Sequence, residues 1–155
     1  MRNHFVLGCL CAYTVQVEAG TKKCRALALS GGANYGAWEA GIMWGLTHYG
    51  NPEDFAWDVI TGVSAGAINT SATAVFDVGD EVNMTEFISD TWAHLTTHDI
   101  WQEWPEGLVR AIWSEAGLVD DSPGLNFITK TLKPFGKFSN RKFTVSSVEV
   151  DGGTY

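Results

Sequence analysis

No cluster of lysine or arginine occurs in this 155-residue sequence; ten basic side chains stand against eighteen acidic ones, for a net charge of −8 and a pI near 4.8. That balance excludes nucleic acid as a partner, because neutralising phosphates needs a basic surface. Cysteine is scarce: Cys9, Cys11 and Cys24 have no metal-type spacing, and no residue pattern implies a metal or another cofactor. A membrane-spanning run is lacking as well. The apolar stretch Phe5 to Val15 reaches about half of the ~20 residues that a transmembrane helix needs. Charged residues make up 18% against 45% hydrophobic, which excludes a disordered chain. Internal repeats, low-complexity tracts and linkers are absent too, so the sequence reads as one domain with a core of its own.

What is there begins with MRNHFVLGCLCAYTVQVEAG. Arg2 and His4 precede the apolar run, and Val17-Glu18-Ala19 follows it, the layout of a secretory signal cleaved after Ala19. On this reading residues 1–19 are a leader, residues 24–155 are the domain, and the protein is secreted or lies in an endomembrane lumen. A buried first strand is the other reading of the same residues. Cleavage would leave Cys24 without a partner for an internal disulfide.

Downstream, the pattern alternates between strand and helix. CRALALS (Cys24 to Ser30) is a short apolar run suited to a buried parallel strand, and a helical spacing of apolar residues follows in AWEAGIMWGLTHYG until Gly50-Asn51-Pro52 stops it. WDVITG (Trp57 to Gly62) predicts a second strand and the small-residue stretch Ser64 to Phe76 a second helix. A third helix is expected around Thr85 to Leu95. A further one starts with Ser122 as N-cap and Pro123 at the first helical position, and ends before Pro134. Arg141 to Val150 predicts the last strand. This order argues for an α/β fold, a parallel-sheet core flanked by helices.

Two elements carry chemistry. Gly62-Val63-Ser64-Ala65-Gly66 is a G-x-S-x-G sequence placed where an apolar strand ends and a helix of small residues begins. A nucleophile elbow needs that setting: the turn projects the Ser64 hydroxyl from the edge of the sheet, and Gly62 and Gly66 leave room for the crossing chains. An ordinary tight turn capped by Ser64 is the alternative. The second element is the loop Ser30-Gly31-Gly32-Ala33-Asn34-Tyr35-Gly36, again between strand and helix, where backbone N–H groups face an anion. A phosphate loop would need Lys and Ser/Thr where Ala37-Trp38 stand, and a dinucleotide fingerprint would need Gly at Ala33. An oxyanion hole serving Ser64 accounts for both elements together.

ALSGGANYGAWEAGIMWGL, followed about thirty residues later by DVITGVSAGAINT, resembles the start of a patatin-like phospholipase domain over roughly residues 25 to 150. The resemblance implies a three-layer α/β fold, incomplete here at the C-terminus, and a lipid acyl hydrolase that acts at a lipid surface on phospholipid or acylglycerol esters. It implies Ser64 as nucleophile, the Gly31 to Asn34 backbone as oxyanion donors, and an Asp of an Asp-Gly-Gly or Asp-Gly-Ala motif as base in place of a His. Two positions depart from the family loop: Ala33 replaces its third Gly and Tyr35 the Arg near its end.

The remaining candidates have ordinary readings beside the functional ones. A Ser-His-Asp esterase would need His94 or His98 as base, while His48 closes the first helix. His94 and His98 lack the H-E-x-x-H order of a metal pair and fit a solvated helix face. Trp101, Trp104 and Trp113, with Leu108, Val109, Ile112 and Leu118, read either as a lid that contacts lipid or as packing under a long loop. Asp151, in VEVDGGTY, has the family's Asp-Gly-Gly but stands only about 87 residues after Ser64. Its surroundings also fit a hairpin turn, which puts the base beyond Tyr155. A fold that keeps the lipid site and lacks the acid would be a lipid-binding module without catalysis.

Overall fold

The computed structural model describes residues 12–19, 22–105, 107 and 119–147. Its contacts divide the chain into two compact units, one running to Trp92 and resuming at Phe138, the other Ala93–Lys137.

The described residues of the first unit are built on one four-stranded sheet. Strands β1 (Ala12–Ala19), β2 (Lys22–Leu29), β3 (Val59–Val63) and β4 (Lys142–Ser146) lie in the order β1-β2-β3-β4. β2, β3 and β4 are parallel, with Leu27 opposite Ile60 and Ile60 opposite Phe143, as the alternating strand–helix pattern predicts. β1 runs antiparallel to β2, pairing Ala12 with Leu29 and Ala19 with Lys22, on residues that read either as leader or as first strand.

Of the helices described in this unit, two contribute buried apolar side chains to one core. Helix α1 (Gly36–Tyr49) buries Ala40, Met43 and Thr47, residues three to four apart that share one face. Its end is set where the Gly50 N–H bonds the Leu46 carbonyl at 3.0 Å, just before the 3-10 turn Pro52–Phe55. Helix α2 (Ala65–Thr73) follows β3 directly. Helix α3 (Glu81–His94) starts four residues before the apolar periodicity becomes readable, and buries Met84, Thr85 and Ile88. Leu27, Leu29, Ala40, Met43, Trp57, Ile60, Met84 and Ile88 form the core, with Leu46, Phe55, Phe76, Phe87 and Trp92 around it. On one face of β3, Thr61 is exposed and Val63 is 46% exposed, whereas a parallel strand is ordinarily covered on both sides.

Arg141, which the sequence marks only as the start of a strand, ties this unit together. Its side chain is buried and pairs with buried Glu81 at 2.9 Å. The guanidinium also donates to the carbonyls of Phe76, Asp77 and Trp57. The other Glu81 oxygen accepts the Gly79 N–H at 2.7 Å. One side chain thus satisfies the turn after α2, the approach to β3 and the first turn of α3.

Within the second unit, helix α4 (Ser122–Leu132) has Asp121 as N-cap, one residue earlier than the sequence suggests, with Pro123 in its first turn. Gly124 lies against the chain at Ile100, its N–H bonded to that carbonyl at 3.0 Å. Thr96 caps the 3-10 turn Thr97–Asp99; its hydroxyl and N–H both donate to Asp99 and hold that carboxyl below its ordinary pKa.

Candidate active site

Ser64 occupies the single residue between β3 and α2, with φ 55° and ψ −122°. A side chain rarely adopts that region, and holding it there costs of order 1–3 kcal/mol. The strain is imposed by two close approaches. A Cβ on Gly62 would sit 2.2 Å from the Gly66 carbonyl oxygen, and one on Gly66 would sit 2.6 Å from the carbonyl oxygens of both Leu29 and Ser30. The end of β2, the end of β3 and the start of α2 therefore cross at distances only glycine allows. Although Ser64 stands at the N-cap, its hydroxyl makes no capping bond. The ordinary reading, a turn held by a serine cap, does not describe it.

The Gly-rich loop lies beside this turn. A Cβ on Gly31 would meet the Ser64 Cβ at 3.1 Å and its Oγ at 3.8 Å. The loop is pinned to the turn where the Gly66 N–H donates to the Ser30 carbonyl at 3.1 Å. Gly32 then leads into the 3-10 turn Ala33–Tyr35, in which the Tyr35 N–H bonds the Gly32 carbonyl at 2.9 Å. Among the described hydrogen bonds, none engages the N–H groups of Gly31, Gly32, Ala33 or Asn34. Ala33, at the third-glycine position, has φ 49°, the left-handed region that favours Gly. Tyr35, at the Arg position, is 58% exposed. Ser30, Gly31, Gly32, Tyr35, Gly36 and Glu39 line a shallow groove along the loop.

Sequence reasoning passed over three residues that support this loop: Glu39, Asn69 and Trp92. Glu39 accepts from the Ser30 N–H at 2.8 Å, and Asn69 joins it to Trp92. A readable signal existed for Glu39 alone, a charge among the buried positions of an otherwise apolar helix face.

The other candidates have different surroundings. His48 stacks on Trp44 with ring centroids 4.2 Å apart, and its nitrogens contact the Trp44 carbonyl and Glu86, a fixed structural role at the end of α1. His94 closes α3 and His98 lies in the separate turn Thr97–Asp99, so the two do not share a helix face. Among the described residues no group of three or more His, Cys, Asp or Glu is placed to hold a metal. In the second unit Trp101 is 38% exposed and Trp104 is half-buried. Asp151, Trp113, Leu108, Val109, Ile112 and Leu118 lie outside the described residues. No helix among the described residues is long and apolar enough to cross a membrane.

Comparison with curated proteins and with solved structures gave no match. The sequence model of one family does match, over residues 27–152, a span that takes in the Gly-rich loop and the Ser64 turn together with the strands and helices that hold them. That family is described as patatin-like phospholipase, and the chain belongs to it.

Proposed function

We propose that this protein is a serine lipid acyl hydrolase that cleaves phospholipid or acylglycerol esters. The reading is carried by one observation: Ser64 stands at φ 55° on a strand-to-helix turn, with the Gly31 backbone packed against its side chain. That geometry supports reading the turn as a nucleophile elbow next to an anion-binding loop. Ser64 Oγ attacks the ester carbonyl, forming the Oγ–C bond. The Gly31 to Asn34 amides hold the resulting oxyanion, and an Asp takes the Ser64 proton and passes it to the departing alcohol. Water, activated by the same Asp, then releases the fatty acid and restores the serine. The base is an Asp-Gly-Gly or Asp-Gly-Ala aspartate, either Asp151 or one on chain following Tyr155.

The exposed, uncharged residues beside the groove suit a peripheral lipid contact, and a leader ending at Ala19 would direct the protein to secretion or an endomembrane lumen. A fluorophosphonate probe tests the chemistry on the full-length protein. Covalent labelling that is abolished by Ser64→Ala supports the hydrolase. Labelling that also requires His94 or His98 would replace the dyad by a Ser-His-Asp esterase. A folded protein that resists the probe would be a lipid-binding module instead.

A further inference from the structure

Glu39 is a carboxylate with 6% exposure on the buried face of α1, a position where an apolar side chain would pack without the cost of desolvating a charge. Its contacts show what keeps it there. One oxygen accepts from the Ser30 N–H at 2.8 Å and the Ser30 hydroxyl at 3.2 Å; the other accepts from Asn69 Nδ2 at 3.2 Å. Asn69 Nδ2 also donates to the Gly36 carbonyl at 3.0 Å, and Asn69 Oδ1 accepts the indole N–H of Trp92 at 2.7 Å. The polarity of this chain is imposed from both ends. An indole N–H and a peptide N–H can only donate, so Asn69 must turn its oxygen to Trp92 and its NH₂ to Gly36 and Glu39. Both oxygens of residue 39 are then required as acceptors, which a carboxylate supplies and an amide does not.

This chain touches both ends of the Gly-rich loop. Ser30 opens it, and Gly36, whose Cβ position would lie 2.5 Å from the Trp92 ring, closes it. Left to itself, a segment with Gly at 31, 32 and 36 would sample many backbone conformations. An anion hole works only when its donors stay within a fraction of an ångström of the productive geometry. We infer that Glu39 is a positioning residue: through Ser30 and Asn69 it clamps both ends of the loop and so sets the Gly31 to Asn34 amides against Ser64. This rests on the hydrolase reading above. Electrostatics and geometry act with opposite signs here. A buried negative charge beside the loop opposes an oxyanion, so removing the charge alone would raise the rate, whereas loosening the loop lowers it.

The isosteric variant Glu39→Gln in the full-length protein separates these effects. Its NH₂ must face either the Ser30 N–H or Asn69 Nδ2, so one clamp bond is lost with volume unchanged. The expected result is a kcat for p-nitrophenyl butyrate about 10–100-fold lower, with KM within about threefold. Fluorophosphonate labelling should slow in parallel, and amide exchange at Gly31 to Asn34 should quicken. Thr85→Val is the control for simple loss of stability; it removes the buried 2.7 Å bond to Thr47 towards the far end of α1 and should leave kcat unchanged. Unchanged or raised kcat in Glu39→Gln, unchanged loop exchange, or an equal loss of kcat in Thr85→Val overturns the inference. A wild-type protein that fails to label overturns the hydrolase reading instead. Loop exchange then decides the clamp by itself: faster exchange in Glu39→Gln supports it, and unchanged exchange rejects it.

Discussion

The Gly66 N–H donates to the Ser30 carbonyl at 3.1 Å, joining the first turn of α2 to the residue that opens the Gly-rich loop. A Cβ on Gly66 would stand 2.6 Å from that same oxygen and from the Leu29 carbonyl oxygen. The obstacle is backbone and cannot rotate away. Gly66→Ala is therefore expected to cost at least about 2–3 kcal/mol in chemical denaturation, or to prevent folding. Gly41 in α1 has open space at its Cβ position, and Gly41→Ala is expected to stabilise by about 0.5–1 kcal/mol.

Backbone strain at Ser64 and Ala33 makes a paired prediction. Both have positive φ, at 55° and 49°. Replacement by Gly relieves the strain at the expense of some unfolded-state entropy, so Ser64→Gly and Ala33→Gly should each gain up to about 1 kcal/mol in thermal or chemical denaturation. They part on reactivity: Ser64→Gly loses fluorophosphonate labelling and Ala33→Gly keeps it. A Ser64→Gly protein less stable than wild type would show that the turn holds no strain.

The buried Arg141–Glu81 pair predicts an asymmetric response. Arg141→Met leaves Glu81 buried without its cation and removes the donor from three carbonyls. Breaking such a pair from one side costs about 3–5 kcal/mol. Glu81→Gln keeps an acceptor for Arg141 and should cost less. Urea titrations of the two variants check the order, and equal losses would mean that the ion pair itself, not the carbonyl contacts, dominates.

Trp101 and Trp104 test the lid reading in the second unit. With Trp101 38% exposed, the double change Trp101→Ala and Trp104→Ala should weaken sedimentation with neutral phospholipid vesicles several-fold while leaving the thermal transition of the first unit in place. Vesicle binding equal to wild type would remove these residues from the lipid contact.

The strand–loop–helix and strand–turn–helix pair, with Ser64 and the Gly31 to Asn34 loop at their junctions, was legible without coordinates. Each signal is local: a short apolar run, a glycine cluster, then a 3.6-residue periodicity, all within a few residues of one another. Helix boundaries were legible to within a few residues. Glu81 was missed as the start of α3 because its role depends on Arg141, 60 residues away, rather than on any nearby pattern.

By itself, then, the sequence determined an α/β sheet of parallel strands, the place of Ser64 between a strand and a helix, and the Gly-rich loop between the preceding strand and helix, because those features depend on the order of residue types along the chain. Tertiary structure alone decided the rest. It set the left-handed conformation of Ser64 and Ala33, the 3.1 Å bond that locks the loop to α2, and the run of donors and acceptors from Trp92 through Asn69 and Glu39 to Ser30. The physical reason is that a hydrogen bond or a steric collision needs two groups a few ångströms apart. Residue type states what each group can donate, accept or exclude, and only the packed fold states which partner it meets.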